Sequence, residues 1–160
     1  RPHGVSGKGR DHWWSDRPLP AGITSDKSVK CLAEAIYFEA RGESELGQMA
    51  VAQVVVNRVK NPAYPDDVCG VVYQNRNWFG RCQFTFACDR VRDVVNEPEA
   101  WETAMRIARN YAAGKAWLPE IGASTHYHAD YVNPRWAREM NRIETIDRHI
   151  FYITENGGWT

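Results

Sequence analysis

Apolar residues recur along the chain with the period of a helix, first over residues 29–40. Val29, Leu32, Ala33, Ile36, Tyr37 and Ala40 form one stripe at spacings of three, four and seven. Ser25 or Asp26 offers a cap before it and Gly42 a stop after it, so a helix is expected to about Ala40. The next segment, "ELGQMAVAQVVVNRVK", follows a second capping residue, Ser44, and runs to about Lys60. It is apolar nearly all round, which predicts a buried central helix. Its valines suit a strand, but a run of this length favours a helix. Asn61-Pro62 and Tyr64-Pro65 end it.

From Asp66 to Val95 the pattern is short and irregular. Within it "CQFTFACD" reads as extended, with Phe84 and Phe86 alternating against Thr85. A third helix is expected to start at a capping box of Asn96 and Glu99, with Pro98 in its first turn. Trp101, Met105, Ala108 and Ala112 mark its inner face, and Gly114 its end. "STHYHA" and "HIFYI" read as short strands. Residues 1–27 contain Pro2, Pro18 and Pro20 and lack an apolar period, so they read as a linker or extended arm with Trp13 and Trp14 tucked against the domain. The expected fold class is α+β, mainly α, with a small β-sheet in one domain over 28–160.

A chain of 160 residues supports a single domain with a proper core. With 43% hydrophobic and 25% charged residues it reads as globular. Twenty basic side chains balance 20 acidic ones, so no overall field calls for nucleic acid or an anionic membrane. No apolar run reaches transmembrane length. The chain opens on Arg1 rather than Met, which reads as a processed or trimmed form, and it is expected to be a monomer. Cys31, Cys69, Cys82 and Cys88 make no C-x-x-C, and an even number at wide spacing suits two disulfides in an oxidising compartment. Three pairings are open; Cys82–Cys88 with Cys31–Cys69 is expected, because the first closes a short loop.

One carboxylate stands out in "AIYFEARGES". On the first helix Glu39 sits about 20° from Leu32 and about 60° from Ile36, on the flank of the apolar stripe. Glu34 projects to the opposite side as a solvated residue. Burial at the core margin favours the protonated form of a carboxyl, which is how a glutamic acid becomes a general acid near neutral pH. The alternative is an ion pair of Glu39 with Arg41, Arg58 or another cation.

"AIYFEARGESELGQMAVAQVVVNRVKNPAYP" resembles the spore-cortex-lytic (SleB-like) type of bacterial cell-wall hydrolase, and the similarity continues through "CQFTFACD", "THYHADYVNPRWA" and "IDRHIFYI", from about Val29 to Ile153. The resemblance implies a lysozyme-like catalytic domain over residues 28–160. It implies cleavage of the peptidoglycan glycan strand between N-acetylmuramic acid and N-acetylglucosamine, by a lytic transglycosylase or muramidase with no cofactor. The single essential acid of such enzymes falls on Glu39. Glu43 is a second candidate acid, with a structural role in capping or in pairing with Arg41 as the favoured reading. Gln83 and Thr85 match a loop beside the cleft, and Tyr127, Asn133 and Trp136 lie in a later matching segment. All five are expected to contact substrate, with Tyr127 and Trp136 lining the groove rather than filling the core. Four cysteines depart from the spore type and suggest a Gram-negative periplasmic or phage-associated relative, periplasmic or secreted.

Two other readings stand beside this one. His126 and His128 make an H-x-H pair and His12 with Asp16 an H-x-x-x-D, which faintly resemble the ligands of zinc peptidases that cut peptidoglycan peptides. A lysozyme-like fold can also bind glycan without cutting it.

Overall fold

The computed structural model describes residues 12–74, 86 and 93–155. Helix α1 (Asp26–Ala40) starts where Ser25 accepts the N–H of Ser28, and α2 (Glu45–Lys60) where Ser44 accepts that of Gly47. Both match the apolar pattern. Val51, Val54 and Val55 of α2 are fully buried, and so are Gln53 and Asn57. Helix α2 is therefore the central post of the domain, enclosed by α1, the sheet and two further helices. Helix α3 (Val68–Val72) falls in the stretch read as irregular; five residues are too few to show a helical period. Its cap is Asp67, which accepts the N–H of Gly70.

Helix α4 (Pro98–Ala112) ends just before Gly114, whose φ of 73° reverses the chain. Its start differs from expectation. The Asn96–Glu99 capping box does not form; Glu97 is the capping residue and its side chain caps nothing. The N–H groups of Asn96 and Glu97 donate instead to the hydroxyl of Tyr37, a buried residue of α1 whose oxygen must find partners.

A disulfide joins Cys31 of α1 to Cys69 of α3, with Cα atoms 5.3 Å apart, as expected. The expected Cys82–Cys88 bridge and the extended reading of "CQFTFACD" lie outside the described residues, apart from Phe86. The Phe86 ring is buried and stacks on Phe38 of α1.

Strands β1 (His126–Ala129), β2 (Met140–Ile146) and β3 (His149–Thr154) form an antiparallel sheet in the order β1-β3-β2. β1 and β3 are the two expected strands. β2 escapes the sequence pattern because an irregularity between Arg142 and Glu144 breaks its period of two. Residues 12–24 lie on the domain in two 3-10 turns, Trp13–Asp16 and Ala21–Thr24. Trp14 is fully buried, and the Nε2 of His12 lies 3.1 Å from the carbonyl of Thr154. Trp13 remains at the surface under the Arg17 guanidinium.

The β2–β3 turn is fastened to the start of α2. Asp147, at φ 51°, accepts hydrogen bonds from the Ser44 N–H (2.9 Å) and Oγ–H (2.6 Å). Its charge also meets the positive end of the helix. A methyl group on Gly47 would lie 2.5 Å from the Asp147 carboxylate. Gly47→Ala is therefore expected to destabilise the domain by about 1–3 kcal/mol, the usual range for overpacking, although alanine is the better helix former. Urea denaturation of the two proteins checks this; a stabilised variant would show that the clamp can move aside.

Candidate active site

Three polar side chains on one side of α2 bring the sheet up to α1. Gln53 donates to the carbonyls of Leu118 and Gly122, both at 2.9 Å, and accepts from the Leu118 N–H and the Tyr111 hydroxyl. Asn57 donates to Gly122 and Ser124, and the Arg58 Nε–H to Thr125 at 2.7 Å. The chain from 118 to 125 is thus bonded to the C-terminal half of α2 and delivers β1 next to the end of α1. There the hydroxyl of Tyr127 donates to Oε1 of Glu39 at 2.6 Å.

Glu39 is half buried and opens into a groove of about 360 Å³. Phe38 and Glu39 of α1 form one side. Tyr127, His128, Tyr131, Pro134 and Trp136 of β1 and the following segment, with His149 of β3, form the rest. Burial, then the charge and hydrogen bond of Glu39, push the Tyr127 hydroxyl well above the ordinary tyrosine range, against the opposing Arg58 cation. Tyr127 therefore remains a neutral donor. Its bond orients one carboxyl oxygen of Glu39.

The structure sorts the expected site residues. Glu39, Tyr127 and Trp136 meet at the groove. Trp136 is half buried, with His126, His128 and Tyr152 around its ring. The expectation that Tyr127 stands clear of the core does not hold. Its ring is only 3% exposed and packs on Phe151, so that only its hydroxyl end serves the groove. Asn133 is exposed on the segment between Val132 and Pro134, which both line the groove. Gln83 and Thr85 lie outside the described residues.

Glu43 is not paired with Arg41, which binds Glu97 at 2.6 Å instead. Glu43 accepts the backbone N–H of Arg148 at 3.1 Å and lies 3.4 Å from Nδ1 of His149. Glu34 is not merely solvated either: the Tyr73 hydroxyl donates to it at 2.7 Å. Sequence reasoning gave no role to Phe38, Tyr131 or His149. Phe38 adjoins Glu39 and His149 stands in the quoted "IDRHIFYI", so the signal was proximity to matched motifs.

His128 lies with Nδ1 2.8 Å from the carbonyl of Ala129 and Nε2 2.8 Å from the Tyr152 hydroxyl. His126 faces Thr125, with Nδ1 3.0 Å from its hydroxyl. Among the described residues no group of three or more His, Cys, Asp or Glu side chains is placed to hold a metal ion.

A profile of the family described as Cell Wall Hydrolase matches residues 42–152, more than two thirds of the chain. The chain belongs to the cell wall hydrolase family. The match begins three residues after Glu39, so the acid itself lies outside the matched span. Among relatives, the spore cortex-lytic enzyme of Halalkalibacterium halodurans is 35% identical over 133 residues, covering 83% of this chain and 36% of that protein. That of Bacillus subtilis is 32% identical over the same share of this chain and 39% of its own length. The chain thus spans little more than a third of these curated relatives. Among solved structures it is similar to the catalytic domain of the Bacillus cereus SleB protein, with a TM-score of 0.63 at 32% identity over 84% of this chain and 94% of that one. The catalytic domain of the germination-specific lytic transglycosylase SleB from Bacillus anthracis gives 0.61 at 33%, covering 84% and 99%. This hydrolase-family chain therefore shares the fold of those catalytic domains, mostly helical with a small antiparallel sheet.

Two expected outcomes follow from the packing of β1. Tyr127→Ala removes a buried ring and should cost about 3–5 kcal/mol in chemical denaturation; a near-neutral value would return the ring to the groove surface. The second concerns acid. Burial, then the nearby Arg58 cation, pushes His126 from 6.5 down to about 3. Between those values the unfolded chain binds a proton that the folded one refuses, so this contribution to stability is complete above about pH 6.5 and is lost as pH falls toward 3. Melting temperature should drop on acidification from pH 7 to 4, and His126→Gln should flatten that slope. An unchanged slope in the variant would remove His126 as the cause.

Proposed function

We propose that this chain cleaves the β-1,4 bond between N-acetylmuramic acid and N-acetylglucosamine in peptidoglycan, as a lytic transglycosylase whose acid is Glu39. The observation that carries this reading is a half-buried carboxyl in a groove, with one oxygen held by the neutral Tyr127 hydroxyl. The name of the Bacillus anthracis relative, a lytic transglycosylase covered over 99% of its chain, supports the reaction type. Glu39 protonates the glycosidic oxygen as the bond to C1 breaks, leaving an oxocarbenium-like muramic sugar. The C6 hydroxyl of that sugar attacks C1 and gives a 1,6-anhydro end. No carboxylate nucleophile is required, which agrees with a Glu43 already bonded to the Arg148 backbone.

Phe38, Tyr131 and Trp136 supply flat faces for sugar rings, with Asn133 at the rim as a polar contact. The catalytic unit is residues 28–160, a monomer, with residues 12–24 of the preceding arm packed on it. The Cys31–Cys69 bridge supports work outside the cytoplasm, in a periplasm or in secreted form; a Gram-negative or phage-associated setting fits a disulfide-bearing member.

Glu39→Gln keeps the shape and removes the proton. It should lower release of soluble fragments from purified peptidoglycan by about a hundredfold or more, with an unchanged melting temperature. Mass spectrometry of wild-type products should find 1,6-anhydro ends. Reducing ends would indicate a muramidase, free stem peptides a peptidase, and full activity in folded Glu39→Gln would end the assignment.

A further inference from the structure

Two histidines share the groove with Glu39, and their ring nitrogens are committed differently. In His128 the nitrogen facing the Ala129 carbonyl must carry the proton, so the other accepts the Tyr152 hydroxyl. That imidazole has no lone pair left for substrate. His149 is only 8% exposed, and its Nδ1 is buried 3.4 Å from Oε1 of Glu43 without a hydrogen bond, so the accessible edge of the ring is the one that lines the groove. Its Nε2 has no hydrogen-bond partner among the described residues.

Glu43 is well fixed behind this ring. Its side chain is 13% exposed, Oε1 accepts the Arg148 N–H, and its carbonyl accepts from Gln48 at 3.2 Å. Tyr127 joins the two halves of the site: its hydroxyl touches Glu39, and its ring centroid lies 4.9 Å from that of His149. A carboxylate behind one nitrogen of a histidine, with the other nitrogen facing a cleft, is the arrangement that makes imidazole a general base.

We propose that His149 is a second catalytic residue, the base that takes the proton from the muramic C6 hydroxyl, and that Glu43 is the positioning residue whose carboxylate faces its Nδ1. The proposal rests on the transglycosylase reading above. Glu39 gives its proton to the departing oxygen of N-acetylglucosamine as the C1–O bond breaks. The C6 oxygen forms the new bond to C1, and its proton passes to Nε2 of His149. Water then carries a proton from the imidazolium to the Glu39 carboxylate, restoring both groups with no net change. Burial holds His149 below the usual histidine range; Glu43, Asp147 and Asp130 oppose this, and His128 adds to it. The neutral, basic form therefore persists into mildly acidic solution.

The test is the pH dependence of fragment release from purified peptidoglycan by the whole chain. His149→Gln should lower the rate about a hundredfold at unchanged melting temperature and abolish the acid limb of the wild-type profile. Glu43→Gln should retain more activity and move that limb to lower pH, because loss of the carboxylate lowers the pKa of the imidazole further. A wild-type rate or acid limb in His149→Gln overturns the proposal. A Glu43→Gln profile that falls in parallel, with its limb unmoved, also overturns it and leaves Glu43 structural. If His149→Gln melts early, the Glu43→Gln limb decides alone. Wild-type cleavage to anhydro ends with His149 indifferent sinks only this proposal, whereas a wild type that yields no anhydro ends ends the transglycosylase reading and this one with it.

Discussion

A helix buried on every side has no water for its polar side chains, and that constraint organises this domain. Gln53, Asn57 and Arg58 of α2 must find partners inside the protein, because an unsatisfied buried polar group costs more than most single contacts contribute. They find them in the backbone of residues 118–125, which has no regular structure of its own to satisfy its carbonyls. Each need answers the other. The result is a loop whose carbonyls are bonded as a strand's are, and from its end β1 starts at a fixed height along the helix.

The second fixing point lies at the opposite end of α2. Asp147 caps the helix from the β2–β3 turn, and Glu43 takes the next backbone N–H of the same turn. The sheet is therefore attached to α2 at both ends. Tyr127 and His149, on neighbouring strands, pack ring against ring beside the groove. The groove is built from rigid elements whose alignment is set elsewhere in the structure, which is what a reacting group needs if its geometry is to hold through turnover.

Residues 25–60 were legible in the sequence because stripe, caps and stop agreed there. Glu39 could be placed on the flank of a buried face by periodicity alone. Other features were not legible, for specific reasons. β2 carries too few apolar residues and a broken period. The start of α4 follows the needs of the Tyr37 hydroxyl, a tertiary demand that overrides a good local capping signal. Tyr127 sits in a polar, proline-containing segment that looks like a surface loop. Its burial comes from Phe151, a strand partner 24 positions later, which no local window contains. The polar residues of α2 were visible as letters, but their partners lie more than 60 positions away.

Glu39 and the tyrosine that holds it are separated by 88 positions in the chain. Contacts of such range form late, since a long stretch must be ordered before they return any stability. The helices can collapse around α2 while the acid still lacks its partner and its opposing wall. A form collapsed around α2 but lacking β1 would hold Glu39 with no groove around it. The groove is complete only once the sheet has closed on α2.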